Sequence, residues 1–119
     1  MHPLDYFEKV YVINLASRVD RREEMAEQFQ TIGRGLNQLN IQLFEASRPE
    51  NAGDFPSIGA RGCFMSHLRI LQDASAKGHA RILIVEDDLN FASDFVADAS
   101  RVIEAVSYTH LTLPTKRIV

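Results

Sequence analysis

The sequence predicts an α/β fold with a parallel sheet built in β-α-β-α-β-α order, and three observations carry that prediction. Short β-branched or continuously apolar runs alternate with longer stretches of helical period. The third run, RILIVE at 81–86, is apolar without alternation, the pattern of a parallel strand covered on both faces. Polar clusters lie at the ends of the runs, Asn14 to Arg22, Glu45 to Arg48 and Glu86 to Asp88. Open parallel sheets bind ligands there, outside the carboxyl ends of their strands.

The first strand is KVYVINL (9–15), rich in β-branched and aromatic residues. Helical period follows, with Val19, Met25 or Ala26, Phe29 and Ile32 on the apolar side. Ser17 and Asp20 have capping-box spacing, which starts this helix near Arg18, and Gly33 and Gly35 stop it. IQLFEAS (41–47) predicts the second strand. Residues 48–62 hold two prolines and three glycines and predict a long loop. CFMSHLRILQDASAKG (63–78) predicts the second helix, with Phe64, Leu68, Leu71 and Ala74 as its stripe and Gly78 as its stop. After the third strand, residues 91–106 predict a third helix with Phe95, Val102 and Val106 inward. Residues 107–119 show no helical period and lean towards β, with an edge strand expected around Leu111 to Leu113. They read as a tail foreign to the domain, similar to translated adapter sequence.

The 119 residues suffice for one domain or part of one. A net charge of −3 leaves no basic field and argues against nucleic acid or an anionic membrane as partner. Cys63 is the sole cysteine, so no internal disulfide forms and a reducing compartment is expected. No apolar run approaches the ~20 residues of a spanning helix, and MHPLDYFEKV lacks the regions of a signal peptide. The expected location is the cytoplasm.

Glu86, Asp87 and Asp88 bring three carboxylates together at a strand end. Hard divalent cations, Mg²⁺ and Mn²⁺, prefer such oxygens, and adjacent carboxylates repel unless a positive charge sits among them. A solvated strand end with Asp88 capping the next helix accounts for the same residues. Arg18, Arg21 and Arg22 crowd the start of the first helix, where the dipole disfavours cations. An anion at the N–H groups there, met by guanidinium forks, explains them; pairing with Glu23 or Glu24 is the plainer account. In GARGCFMSHLRIL, Cys63 and His67 have i, i+4 spacing, but two ligands do not make a zinc site. Ser66 and His67, adjacent on a helix, do not face each other as a nucleophile and base.

RILIVEDDLNFASDF alone resembles the first strand of a response-regulator receiver domain, whose acids bind Mg²⁺ beside a phosphoacceptor aspartate. That likeness covers one stretch and leaves the upstream units unexplained. Three motifs in order, VYVINLASRVDRR, GARGCFMSHLRIL and ILIVEDDLNF, resemble glycosyltransferase family 25 of the lipooligosaccharide galactosyltransferase type. The resemblance implies a GT-A-like (Rossmann-like) nucleotide-sugar-binding fold and a hexose, galactose, passed from a UDP-sugar to a lipopolysaccharide or other glycan or glycolipid acceptor. It implies Mn²⁺ (or Mg²⁺) at Glu86, Asp87 and Asp88, with Asp87 and Asp88 nearest the chemistry. It assigns Asn14, Arg18, Arg21 and Arg22 to the nucleotide, and Ser66 and His67 to the donor pocket or its support. It further implies work at the inner face of a bacterial inner membrane. The likeness ends near Val106, so residues 1–106 read as the donor-binding part of a truncated domain, with a binding-only fragment as the alternative.

Overall fold

The computed structural model describes the backbone of residues 1–112 and the side chains of residues 1–106. It contains β1 (Lys9–Asn14), α1 (Val19–Thr31), β2 (Ile41–Glu45), α2 (Ile58–Lys77), β3 (Ile82–Glu86) and α3 (Phe95–Thr112), preceded by a 3-10 turn at Pro3–Tyr6. The three strands form one parallel sheet in the order β2-β1-β3. Its register sets Val10 beside Ile41 and Leu83, and Ile13 beside Phe44 and Glu86.

Alternation along β1 divides the core in two. Val10 and Val12 face Met25, Phe29 and Ile32 of α1, with Leu4 of the turn and Phe95 of α3 against the same cluster. Tyr11 and Ile13 face Ile70 and Ala74 of α2. Helices therefore cover both faces of β1, whose Val10, Tyr11 and Val12 are fully buried. The His2 imidazole ties the turn to the end of α1, accepting from the Leu4 N–H at 3.1 Å and donating to the Ile32 carbonyl at 2.7 Å.

The unbroken apolar run of β3 does not mean burial on both faces. β3 lies at the margin of the sheet formed by the described residues; Val85 is buried while Ile82, Leu83 and Ile84 are half-buried. β1 is the fully covered strand. At the start of α1, Arg18 occupies the cap position without a side-chain cap bond, so the capping box at Ser17 does not form. Asp20 instead takes the Arg18 guanidinium, and Val19 is exposed. Gly33, at φ 75°, leads the chain away from α1 in the left-handed region.

α2 begins at Ile58, capped by Ser57 accepting the Ala60 N–H at 3.0 Å, so the predicted loop ends early. Gly59 and Gly62, read as loop signals, lie inside the helix. Gly62 is there for contact: a Cβ on it would stand 2.7 Å from the Ser47 carbonyl oxygen. The buried stripe of α2 is Gly62, Ser66, Ile70 and Ala74. Phe64, Leu68 and Leu71, expected inward, are exposed, because the small residues decide which side approaches the sheet. α3 starts at Phe95 because Phe91 turns aside to pack edge-on against Phe29, 5.3 Å between centroids. Val102 and Val106 face out, and the inward residues are Phe95 and Val96. The helix runs through Thr112, so residues 107–112 are helical and no edge strand forms at Leu111. The expectation for Leu113 and onward falls outside the described residues.

Candidate functional site

From β1 the chain reaches β2 on one side through α1, and then β3 on the other side through α2. The gap between the carboxyl ends of β1 and β3 is thus the switch point where such sheets take ligands. A cleft of about 470 Å³ opens there, within the usual range for small-molecule sites. Its walls are Leu15 with Arg18 and Arg21, the Ser47–Pro49 segment, Gly62, Cys63 and Ser66 of α2, and Glu86 to Asp88.

Asn14 ends β1 and is buried, and its amide is committed on both edges. Nδ2 donates to Asp87 Oδ2 at 2.9 Å and to the Arg18 carbonyl at 3.3 Å. Oδ1 accepts from Arg22 Nε at 3.3 Å, and Arg22 Nη2 donates to the Ala16 carbonyl at 3.1 Å. The result is a chain from Arg22 through Asn14 to Asp87. It joins the ends of β1 and β3 and fixes one acidic side chain.

The three arginines of the first motif separate in role. Arg22 supports Asn14. Arg18 makes a two-pronged pair with Asp20, both bonds 3.0 Å. That guanidinium, with the Arg21 and Asp20 backbone N–H groups, brings the Asp20 carboxyl down to about 2. The pair also explains how a cation is tolerated at a helix start. Arg21 lines the cleft with no side-chain partner among the described residues. It also borders a second hollow of about 490 Å³ toward Asp87–Asn90.

The carboxylates separate too. Glu86 accepts from the Cys63 thiol at 3.5 Å; burial, and then Glu86, push that thiol up from its ordinary value. Asp87 turns to Asn14, and Asp88 is exposed in the cleft wall. Among the described residues no three His, Cys, Asp or Glu side chains gather as a metal cage, so Glu86 does not join Asp87 and Asp88 in one ready set. Two carboxylates at an open cleft suit a hard cation that takes its remaining ligands from water and phosphate.

Ser66 is buried in α2, donating to the Gly62 carbonyl and accepting the Ser47 N–H, both at 2.8 Å. Its hydroxyl closes the back of the cleft. His67 is half-buried, lies off the cleft lining, and bonds the Cys63 carbonyl through Nδ1 at 2.8 Å. Arg48, in the strand-end cluster Glu45 to Arg48, and Gly62, in the GARGCFMSHLRIL motif, received no role from the sequence, and Pro49 was passed over; all three line the cleft. The available signal was the small-x-x-x-small spacing of Gly62 and Ser66, which lets a helix approach another backbone closely.

A family model described as "Glycosyltransferase family 25 (LPS biosynthesis protein)" matches residues 7–116. The chain is 32% identical over 122 residues to "Inactive glycosyltransferase 25 family member 3" of Homo sapiens, covering 89% of the chain and 20% of that protein. It is 34% identical over 113 residues to "Putative glycosyltransferase R655" of Acanthamoeba polyphaga mimivirus, covering 82% and 34%. It is 32% identical over 101 residues to "Procollagen galactosyltransferase 1-A" of Xenopus laevis, covering 71% and 16%. The chain thus spans between about a sixth and a third of these curated relatives. No solved structure matches it.

Proposed function

The chain belongs to glycosyltransferase family 25, and from that premise we propose that its switch-point cleft binds the nucleoside diphosphate of a hexose donor, UDP-galactose. The observation that carries this reading is the Arg22–Asn14–Asp87 chain, which holds a carboxylate at the switch point, while Arg21 lines the same cleft with no side-chain partner among the described residues. Asn14 and Arg22 act on the nucleotide indirectly, by positioning Asp87. Arg21 meets the diphosphate, whose oxygens match a guanidinium fork. Mn²⁺ or Mg²⁺ at Asp87 and Asp88 would offset the charge of the departing diphosphate. The acceptor is a hydroxyl, on a glycolipid glycan as the family's description suggests or on a protein as the name of the procollagen galactosyltransferases suggests.

Titration calorimetry tests this. UDP binds more tightly with Mn²⁺ present, and Mn²⁺ more tightly with UDP, by the same factor. Asp87→Asn removes most of that coupling with the fold retained. Independent binding of the two, or no UDP binding, sinks the reading. The word "inactive" in the name of the human relative favours a second reading, in which the cleft binds donor without transferring it. Coupled UDP and Mn²⁺ binding with no hexose release would select it.

A further inference from the structure

We propose that Arg48 meets the donor diphosphate from the β2 side of the cleft, opposite Arg21, and that Gly62 and Ser66 of α2 hold it in position. This rests on the donor-binding reading above and adds a residue and a positioning device to it.

The arginines near the cleft differ in what they touch. Arg18 is spent on Asp20, Arg22 on Asn14 and Ala16, Arg61 on Asn51, and Arg69 on Ser47, Glu45 and the Phe44 ring. Arg21 and Arg48 line the cleft, and among the described residues their guanidinium groups make no hydrogen bond or ion pair. They come from different elements, α1 and the segment after β2. Among the described residues Arg48 has no ion pair, although Glu86, Asp87 and Asp88 line the same cleft and opposite charges attract. A doubly charged anion between the walls relieves both: the cations attract it, and it gives Arg48 a partner suited to its planar fork.

The backbone that carries Arg48 is pinned, while its side chain has no partner among the described residues. Ala46 N–H bonds the Asn14 carbonyl at 3.0 Å, and Ser47 N–H bonds Ser66 Oγ at 2.8 Å. Arg69 donates to Ser47 Oγ at 2.8 Å. The Ser47 carbonyl lies 2.7 Å, and Pro49 Cδ 3.4 Å, from where a Cβ on Gly62 would stand. Only a residue without a side chain lets α2 come this close, and the hydroxyl at 66 satisfies that N–H. The GARGCFMSH motif, for which adjacent Ser66 and His67 offered no chemistry, is explained as a seat for the Arg48 segment. A cation whose backbone is already fixed loses less freedom when ligand binds.

UDP affinity in the presence of Mn²⁺ tests this, measured for the wild-type chain and for Arg48→Ala, Arg48→Lys, Arg21→Ala, Ser66→Ala and the Arg48→Ala/Ser66→Ala pair. Arg48→Ala weakens UDP binding about tenfold or more, the scale of one lost charged hydrogen bond, and leaves the melting temperature unchanged. Arg48→Lys recovers part of the loss, since lysine keeps the charge and lacks the fork. Ser66→Ala weakens binding severalfold although Arg48 is intact, and the double variant binds no worse than Arg48→Ala, the mark of residues acting through one contact. If Ser66→Ala does not fold, Ser66→Cys replaces it. Wild-type affinity in Arg48→Ala, with loss in Arg21→Ala or Asp87→Asn, overturns this proposal and leaves the donor-binding reading standing. Full additivity in the double variant overturns the positioning role. No UDP binding by the wild-type chain ends both.

Discussion

On the face of the sheet that carries Val10 and Val12, α1 and the start of α3 bring Met25, Phe29, Ile32 and Phe95 into hydrocarbon contact, and Phe91 closes the layer. On the face that carries Tyr11 and Ile13, α2 buries only Ile70 and Ala74 as apolar side chains, and polar ties do much of the joining. Tyr11 donates to Asp73 at 2.7 Å, Ser66 bridges to Ser47, and Arg69 lies 4.8 Å from the Phe44 ring centre. Hydrocarbon contact is strong and without direction, whereas hydrogen bonds fix geometry and are individually modest. The first face supplies stability. The second sets where the β2 and α2 walls of the cleft stand.

The sharpest way to break this comparison is to remove the centre of the first face. Phe29 is fully buried in α1, so Phe29→Ala loses about 3–5 kcal/mol, a large part of the ~5–15 kcal/mol that holds a domain together. Urea unfolding followed by circular dichroism reads it. A loss below about 1 kcal/mol would show that the core lies elsewhere.

The second face has a pH signature. Burial, and then the Asp73 carboxylate that accepts its hydroxyl, push Tyr11 up to about 12 from its ordinary value of 10.0. The unfolded phenol ionises first, so its contribution is complete below pH 10 and is lost as pH rises through about 12. That window removes about 2–3 kcal/mol, two units at 1.36 kcal/mol each. Asp73 is held below the usual carboxylate range, first by the Tyr11 hydroxyl and also by Lys77, so its share is lost in the opposite direction, as pH falls. Tyr11→Phe removes the alkaline loss while keeping the ring. An alkaline slope equal in variant and wild type would mean that the tie is not made.

The two faces were unequally legible in the sequence. β1 reads directly because four of its six residues, Val10 to Ile13, are both buried and β-forming, and α1 because Met25, Phe29 and Ile32 sit at helical spacing with no apolar competitor in phase. Asn14 and Asp87 could each be picked out as strand-end polar residues, but not their bond, because they lie 73 positions apart and sheet order decides the meeting. The roles of Arg18 and Arg22 were illegible for the same reason: cation crowding at a helix start predicts an anion and does not say whether a carboxylate, an amide or a phosphate supplies it. α2 misled because Leu68, Ile70 and Leu71 point in different directions from one short stretch. Apolar period alone leaves its phase open, and Gly62 and Ser66 settle it by close approach.

That phase is the subject of the smallest effect. Ile70 is fully buried, while its neighbour Leu71 is 54% exposed. The stripe suggested by apolar period places Leu71 inward; the structure places it outward with Phe64 and Leu68. Leu71→Ser therefore shifts unfolding free energy by no more than about 0.5 kcal/mol, the scale of surface changes. Ile70→Ala in the same helix serves as the reference and loses about 2–5 kcal/mol. Helix propensity falls in Leu71→Ser and rises in Ile70→Ala, so it works against the contrast, and a larger loss at Ile70 reports burial. A reversed order of the two losses would turn α2 by about 100° per residue, move Ser66 away from Ser47, and remove the seat on which Arg48 is argued to stand. A large loss at both positions would mean that both sides of α2 are covered in solution, and its exposed stripe would then be an interface.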